Sequence, residues 1–213
     1  MPNKLPVQLM DIFEAKDLIC KRETRTLFCD LNFTLKAGEL LQIIGANGTG
    51  KSSLLGLLTG LLPKQRGTVT WQGNPLTGCD FHFLGHRNGL KAQLTVLENL
   101  RCSTRLRGNT ITRQQILTAL GNAGLSAQAD VMISKLSAGL QRRVALTPLQ
   151  LAKAPIWILD EPLTALDKTA QALFAQQLTA HLNQGGLGII ATHQSISIDN
   201  ISSHTLALGD IDA

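Results

Sequence analysis

The sequence predicts an α/β protein whose core sheet is mostly parallel, and three observations predict it. An apolar run, Leu40 to Ile44, leads into GANGTGKSS at residues 45 to 53, and Leu54, Leu55, Leu57 and Leu58 follow at helical spacing. A strand, a glycine-rich loop and a helix in that order are the context of a phosphate-binding loop. IWILD (156–160) and LGIIAT (187–192) are short apolar runs of the kind shown by parallel strands buried on both faces. Between them DKTAQALFAQQLTAHLNQGG has helical periodicity and ends at glycines, so strand, helix and strand alternate.

The elements follow in order. Residues 7 to 44 are strand-rich; LNFTL (31–35) alternates, and an Ala37-Gly38 turn opens the strand before the loop. In the loop, Gly45, Gly48 and Gly50 let the backbone turn tightly and bring N–H groups against a polyphosphate; Ala46, Asn47, Thr49 and Ser53 complete the cradle. Lys51 is placed to reach β- and γ-phosphates, and the Ser52 hydroxyl to ligate Mg²⁺. A glycine-rich turn that binds nothing would not need the GxxxxGKS spacing. Leu62-Pro63 ends the helix, RGTVTW (66–71) and FHFL (81–84) read as strands, and Asn74-Pro75 and Gly78 mark turns. From about Thr95 to Leu151 helical periodicity prevails, which predicts a helical subdomain, approximately 86–150, within one domain spanning 1–213. HTLAL (204–208) is expected to be the last strand.

Composition narrows the class. A hydrophobic fraction of 44% with 16% charged residues suits a soluble or peripherally attached globule. No apolar run reaches the roughly 18 residues of a membrane span. The first residues, MPNKLPVQLMDIFEAKD, lack a signal-peptide pattern, so the chain is expected to stay in the cytosol unless another subunit holds it at a membrane. The net charge of +5 comes without a dense Lys/Arg block interleaved with aromatics, so nucleic acid is not an expected partner. Cys20, Cys29, Cys79 and Cys102 are scattered without a CxxC pair, which argues for reduced thiols over a zinc site or a disulfide framework.

Three further groups carry chemistry. Asp160 and Glu161 stand at the C-terminal tip of the IWILD strand, the edge where ligands bind in α/β sheets. Asp160 is a candidate Mg²⁺ ligand, and Glu161 the candidate to polarise an attacking water. LSAGL (136–140) opens a helix: Ser137 is a good N-cap, and Gly139 leaves backbone N–H groups open to an anion, although by itself the stretch reads equally as a plain capped helix. His193 ends LGIIATH at another strand tip, in reach of a γ-phosphate.

In order and spacing these motifs resemble the ATP-binding subunits of ABC transporters. GANGTGKS is similar to the Walker A loop, LSAGL to the signature, WILDEP (157–162) to Walker B with its catalytic glutamate, TALD (164–167) to the D-loop, and His193 to the switch histidine. The resemblance implies an ATPase with the ABC type of P-loop fold, with an antiparallel N-terminal β part beside the parallel core. It also implies two copies sandwiching two ATP molecules, with Ser137, Ala138 and Gly139 facing the partner copy's nucleotide and Asp167 in the D-loop. Integral membrane subunits would dock on the helical subdomain. Within the family the chain is similar to the haem-exporter group of bacterial cytochrome c maturation. LGHRNGLKAQLTVLENLR (84–101), the alanine of LSAGL, QRRVAL (141–146) and the short stretch after His193 carry that similarity. That group works peripherally at the cytoplasmic face of the inner membrane, in haem delivery or haem-chaperone release.

Four departures stand out. His86 occupies the place of a family glutamine, which Gln93 is too far along to replace; an imidazole there can accept a hydrogen bond or ligate metal. Arg22 falls where the family has an adenine-stacking aromatic, and it either stacks on the base or lies on a solvated loop. Leu140 replaces the signature glutamine, and Pro148 predicts a kink in the signature helix, at roughly 3 kcal/mol if uncompensated. The last two admit a nucleotide-gated subunit with little hydrolysis, which the intact Asp160, Glu161 and His193 oppose. A different cargo is the other alternative.

Overall fold

A computed structural model of the protein describes residues 12–22, 25–193, 196, 198 and 201–209. In a first, antiparallel sheet β1 (Ile12–Arg22) lies between β2 (Arg25–Lys36) and β4 (Arg66–Trp71), with the short β5 (Asn74–Pro75) beyond β4. The second sheet is parallel. It comprises β3 (Leu40–Ile44), β6 (Phe81–Leu84), β7 (Ile156–Asp160), β8 (Leu187–Ala191) and β9 (Ser203–Ala207), in the spatial order β6-β7-β8-β3-β9.

Every residue of β7 and β8 is buried. Their alternation sends Ile156, Ile158 and Ile189 toward α1 (Lys51–Leu58) and the antiparallel sheet, where Leu54, Leu55, Phe13 and Leu18 meet them. Trp157, Leu159 and Ile190 face Phe174, Leu178 and Leu182 of α6 (Lys168–Asn183). Burying each such side chain stabilises by about 1.5–3 kcal/mol, which is why unbroken apolar runs become central strands. Trp157 also stacks on His181 of α6, ring centroids 4.0 Å apart and 8° from parallel.

A third core lies among α2 (Val96–Leu106), α3 (Arg113–Asn122) and α4 (Ala138–Leu146), built on Leu100, Ile116, Leu120, Leu125, Ile133 and Val144. Capping boxes open two of these helices: Thr95 with Glu98, and Thr112 with Gln115. The kink expected at Pro148 takes another form. The helix divides, α4 ending at Leu146 and α5 (Pro148–Leu151) beginning on the proline. At a first helical position the missing N–H has no partner to lose. The Thr147 N–H donates to the Arg143 and Val144 carbonyls at 3.1 and 3.2 Å, and its hydroxyl to Arg143 O at 2.9 Å. The last strand starts at Ser203, one residue before HTLAL, and residues 7–11 of the strand-rich stretch lie outside the described residues. Among the described residues no helix is long and apolar enough to cross a membrane.

Candidate nucleotide site

The strands β6, β7, β8 and β3 deliver His86, Glu161, His193 and the glycine-rich loop to one edge of the parallel sheet. There a cleft of ≈ 260 Å³ is lined by Arg22, Asn47, Gly48, Gly50, Lys51, Ser52, Ser53, His86, Asp160, Glu161 and His193, all expected from the sequence, together with Leu27. The remaining loop residues shape it from behind. Gly45 has φ +154°, and a β-carbon there would collide with the Leu208 carbonyl. Buried Thr49 donates its hydroxyl to Ala46 O at 3.0 Å. Lys51 is buried, and its Nζ donates to the carbonyls of Gly45 at 2.7 Å and Ala46 at 3.1 Å. The ammonium is thereby folded back against the loop it would leave to meet a phosphate.

At the tip of β7, Asp160 is buried and Glu161 has φ +49°. A non-glycine residue in that region costs on the order of 1–3 kcal/mol and persists only where its surroundings hold it. The Glu161 N–H donates to Ala191 O at 2.8 Å. Its Oε1 is buried and lies 3.1 Å from His193 Nε2, an ion-pair contact when the imidazole is protonated, with no hydrogen bond of its own. Its Oε2 accepts from the His193 N–H at 3.4 Å. An unsatisfied buried acceptor costs about 1–3 kcal/mol. The Glu161 side chain lines the cleft with His193 beside it.

Sequence reasoning missed two supports. Buried Arg142 donates to the carbonyls of Asp160, Glu161, Pro162 and Gly85 and to Asn88 Oδ1. Burial pulls its pKa down, and the charges of Asp160 and Glu161 oppose that. A signal existed: at helical spacing Arg142 shares a face with Ala145, Leu146 and Leu149, all buried. Gln42, inside the apolar run of β3, donates to Ile196 O and Ser203 Oγ and accepts from the Ile196 N–H at 2.7 Å, tying Ile196 and the start of β9 to the central strand.

Ser137, Ala138 and Gly139 do not line the cleft. Ser137 caps α4, accepting from the Leu140 N–H at 3.3 Å, and Ser137 and Ala138 are exposed. Leu140, which stands where the family has a polar residue, is partly buried and packs against the helical core. Asp167 caps α6 through the Ala170 N–H at 2.8 Å and pairs with Arg143 of α4.

No cluster of three His, Cys, Asp or Glu suited to metal occurs among the described residues. Ser52 and Asp160 instead offer hydroxyl and carboxylate oxygens on one wall of the cleft. That donor set fits Mg²⁺, which keeps several waters and takes phosphate oxygens for the rest of its shell.

The sequence profile of the ABC transporter family matches residues 28–164. The chain belongs to the ABC transporter family. As an ABC ATP-binding domain it is an ATPase. It is 47% identical over 195 residues to the cytochrome c biogenesis ATP-binding export protein CcmA of Escherichia coli strain K12, an overlap of 89% of this chain and 92% of that protein. CcmA of Shigella boydii serotype 4 matches with the same identity and coverage. Among solved ABC structures, a Pyrococcus furiosus chain named as an ABC transporter ATP-binding protein superposes with a TM-score of 0.80 at 22% identity, over 92% of this chain and 97% of that one. At that identity the likeness shows the ABC fold alone.

Proposed function

We propose that this ATPase is the energy-supplying subunit of a membrane complex that drives haem delivery, or release of a haem-loaded chaperone, in c-type cytochrome biogenesis. Its similarity to CcmA over nearly the whole chain supports that cargo. The observation that carries the chemistry is the gathering of Glu161 and His193, 3.1 Å apart, with Lys51, Ser52 and Asp160 in the lining of one cleft. In this reading the loop from Gly45 to Ser53 cradles the triphosphate, and Lys51 exchanges its loop carbonyls for the β- and γ-phosphates. Ser52 and Asp160, with His86 beside them, would hold Mg²⁺, which would supply positive charge to offset that of the triphosphate. Glu161 accepts a proton as the water oxygen bonds to the γ-phosphorus and the bond to the β-phosphate oxygen breaks. His193 keeps the Glu161 carboxylate in place and faces the γ-phosphate, and Arg22 lies against the base.

Ser137, Ala138 and Gly139 complete the site of a second copy, and the Asp167 loop borders that face. Integral membrane subunits dock on the helical subdomain (86–150), which places the chain peripherally at the cytoplasmic face of a bacterial inner membrane.

The test is covalent haem in c-type cytochromes of cells whose gene is intact, deleted, or carries Glu161→Gln, paired with phosphate release by the assembled complex. Glu161→Gln is expected to lower turnover by at least about 100-fold while ATP binding persists. Loss of covalent haem in both altered strains supports the proposal. Loss on deletion alone means a nucleotide-gated subunit with little need for hydrolysis, and normal haem attachment throughout means another cargo.

A further inference from the structure

We infer that Arg142 is a positioning residue that sets Glu161 for hydrolysis and conveys to it the placement of α4; the inference rests on the proposed role of Glu161. Arg142 Nη2 donates to Asp160 O at 2.6 Å and Glu161 O at 2.8 Å, and Nε to Pro162 O at 3.4 Å. Three successive carbonyls converge on one side chain because the backbone reverses through positive φ at Glu161. A planar fork of N–H donors spans them; a lysine ammonium, a point charge on a flexible stem, does not. Nη1 donates to Gly85 O at 3.2 Å and Asn88 Oδ1 at 2.9 Å, on either side of His86. One buried guanidinium therefore grips both the loop that carries His86 and the loop that carries Glu161.

The third link is the element on which Arg142 stands. It lies five residues along from Ser137, about 7.5 Å up the helix axis. Ser137 is exposed and outside this chain's own cleft, at the end of α4 free to meet a second copy's nucleotide. A shift of α4 on that nucleotide carries the guanidinium with it, and with the guanidinium the backbone of Glu161. The two ATP sites of a dimer are then coupled through one side chain in each copy.

Arg142→Lys keeps the charge and loses the fork; Arg142→Gln loses both; Asn88→Ala removes a single anchor at a half-buried position. In the assembled complex, kcat is expected to fall at least about tenfold in the two Arg142 variants and about two- to fivefold in Asn88→Ala, taking tenfold as a 1.36 kcal/mol change in barrier. The KM for ATP, and the Kd from filter binding of radiolabelled ATP, are expected to stay within about twofold of the parent, and the Hill coefficient for ATP to fall toward 1. A merely structural Arg142 would instead move Kd and melting temperature together with kcat and spare the Hill coefficient. Should the Arg142 variants not fold, Asn88→Ala decides, and an unchanged kcat there overturns the inference. Glu161→Gln is the control. If it still turns over, the reading of Glu161 fails; if it is inactive while Arg142→Lys and Asn88→Ala match the parent, this inference alone fails.

Discussion

A β-carbon on Gly139 would come within 2.6 Å of the Ala165 carbonyl, so the start of α4 and the turn before α6 leave room there only for hydrogen. Gly139→Ala is therefore expected to destabilise the fold by about 1–3 kcal/mol in urea unfolding, because backbone must move. Exposed Ala138, one residue earlier, is expected to accept serine within about 0.5 kcal/mol. Both residues were legible in the sequence as an open, small-residue turn. The contact with Ala165 was not, since it depends on how two elements meet. Glu161 was likewise legible as an acid at a strand tip, while its left-handed backbone and the guanidinium that holds it arise from tertiary packing. Arg142 left a trace in helical spacing, but a charged residue beside two other polar ones, Gln141 and Arg143, reads as a solvated surface until the buried face is traced.

His82 shows what an element can hide. It sits inside β6, buried, and its Nε2–H donates to Ala152 O at 2.6 Å, joining the strand to the end of α5. Burial lowers its pKa to about 4; the Ala152 carbonyl opposes that, and the charges of Arg107 and His181 add to it. Between pH 6.5 and about 4 the unfolded chain binds a proton that the folded chain refuses. Stability is thus expected to fall as pH falls through that window, by up to about 3 kcal/mol, and this loss is complete below pH 4. His181, also lowered by burial, acts in the same direction. Urea titrations at pH 7, 5.5 and 4.5 should show that slope, and His82→Gln should flatten it. FHFL was readable as a strand, but the partner of its histidine lies 70 residues away. Pro148 was readable as a helix breaker, and the division at Thr147 removes its cost, so Pro148→Ala is expected to change unfolding free energy by less than about 1 kcal/mol.

At the scale of the molecule, the cleft that gathers the phosphate loop, Asp160, Glu161 and His193 leaves Ser137 to Gly139 outside. In the proposed function a second copy completes the site. With ATP and Mg²⁺ the Glu161→Gln protein is expected to double its sedimentation mass, and Ser137→Arg to prevent the doubling while leaving ATP binding to the single copy intact. The alternation of strands and helices was legible in hydrophobic periodicity, and so was the edge at which ligands gather. The spatial order was not: β9, last in the described chain, lies beside β3, and nothing in its largely exposed SHTLA announces that register.

The stack of Trp157 on His181 gives the molecule an optical property of its own. The chain has two tryptophans and no tyrosine, so its near-ultraviolet emission is indole emission alone. Trp157 precedes Asp160 on β7 by three residues, about 10 Å of strand, and faces α6 rather than the cleft. A nucleotide cannot touch it. In a Trp71→Phe variant Trp157 is the sole indole, so any change in brightness or colour when ATP is added reports displacement at the back of the sheet, and the protein can be followed through its cycle with no label attached.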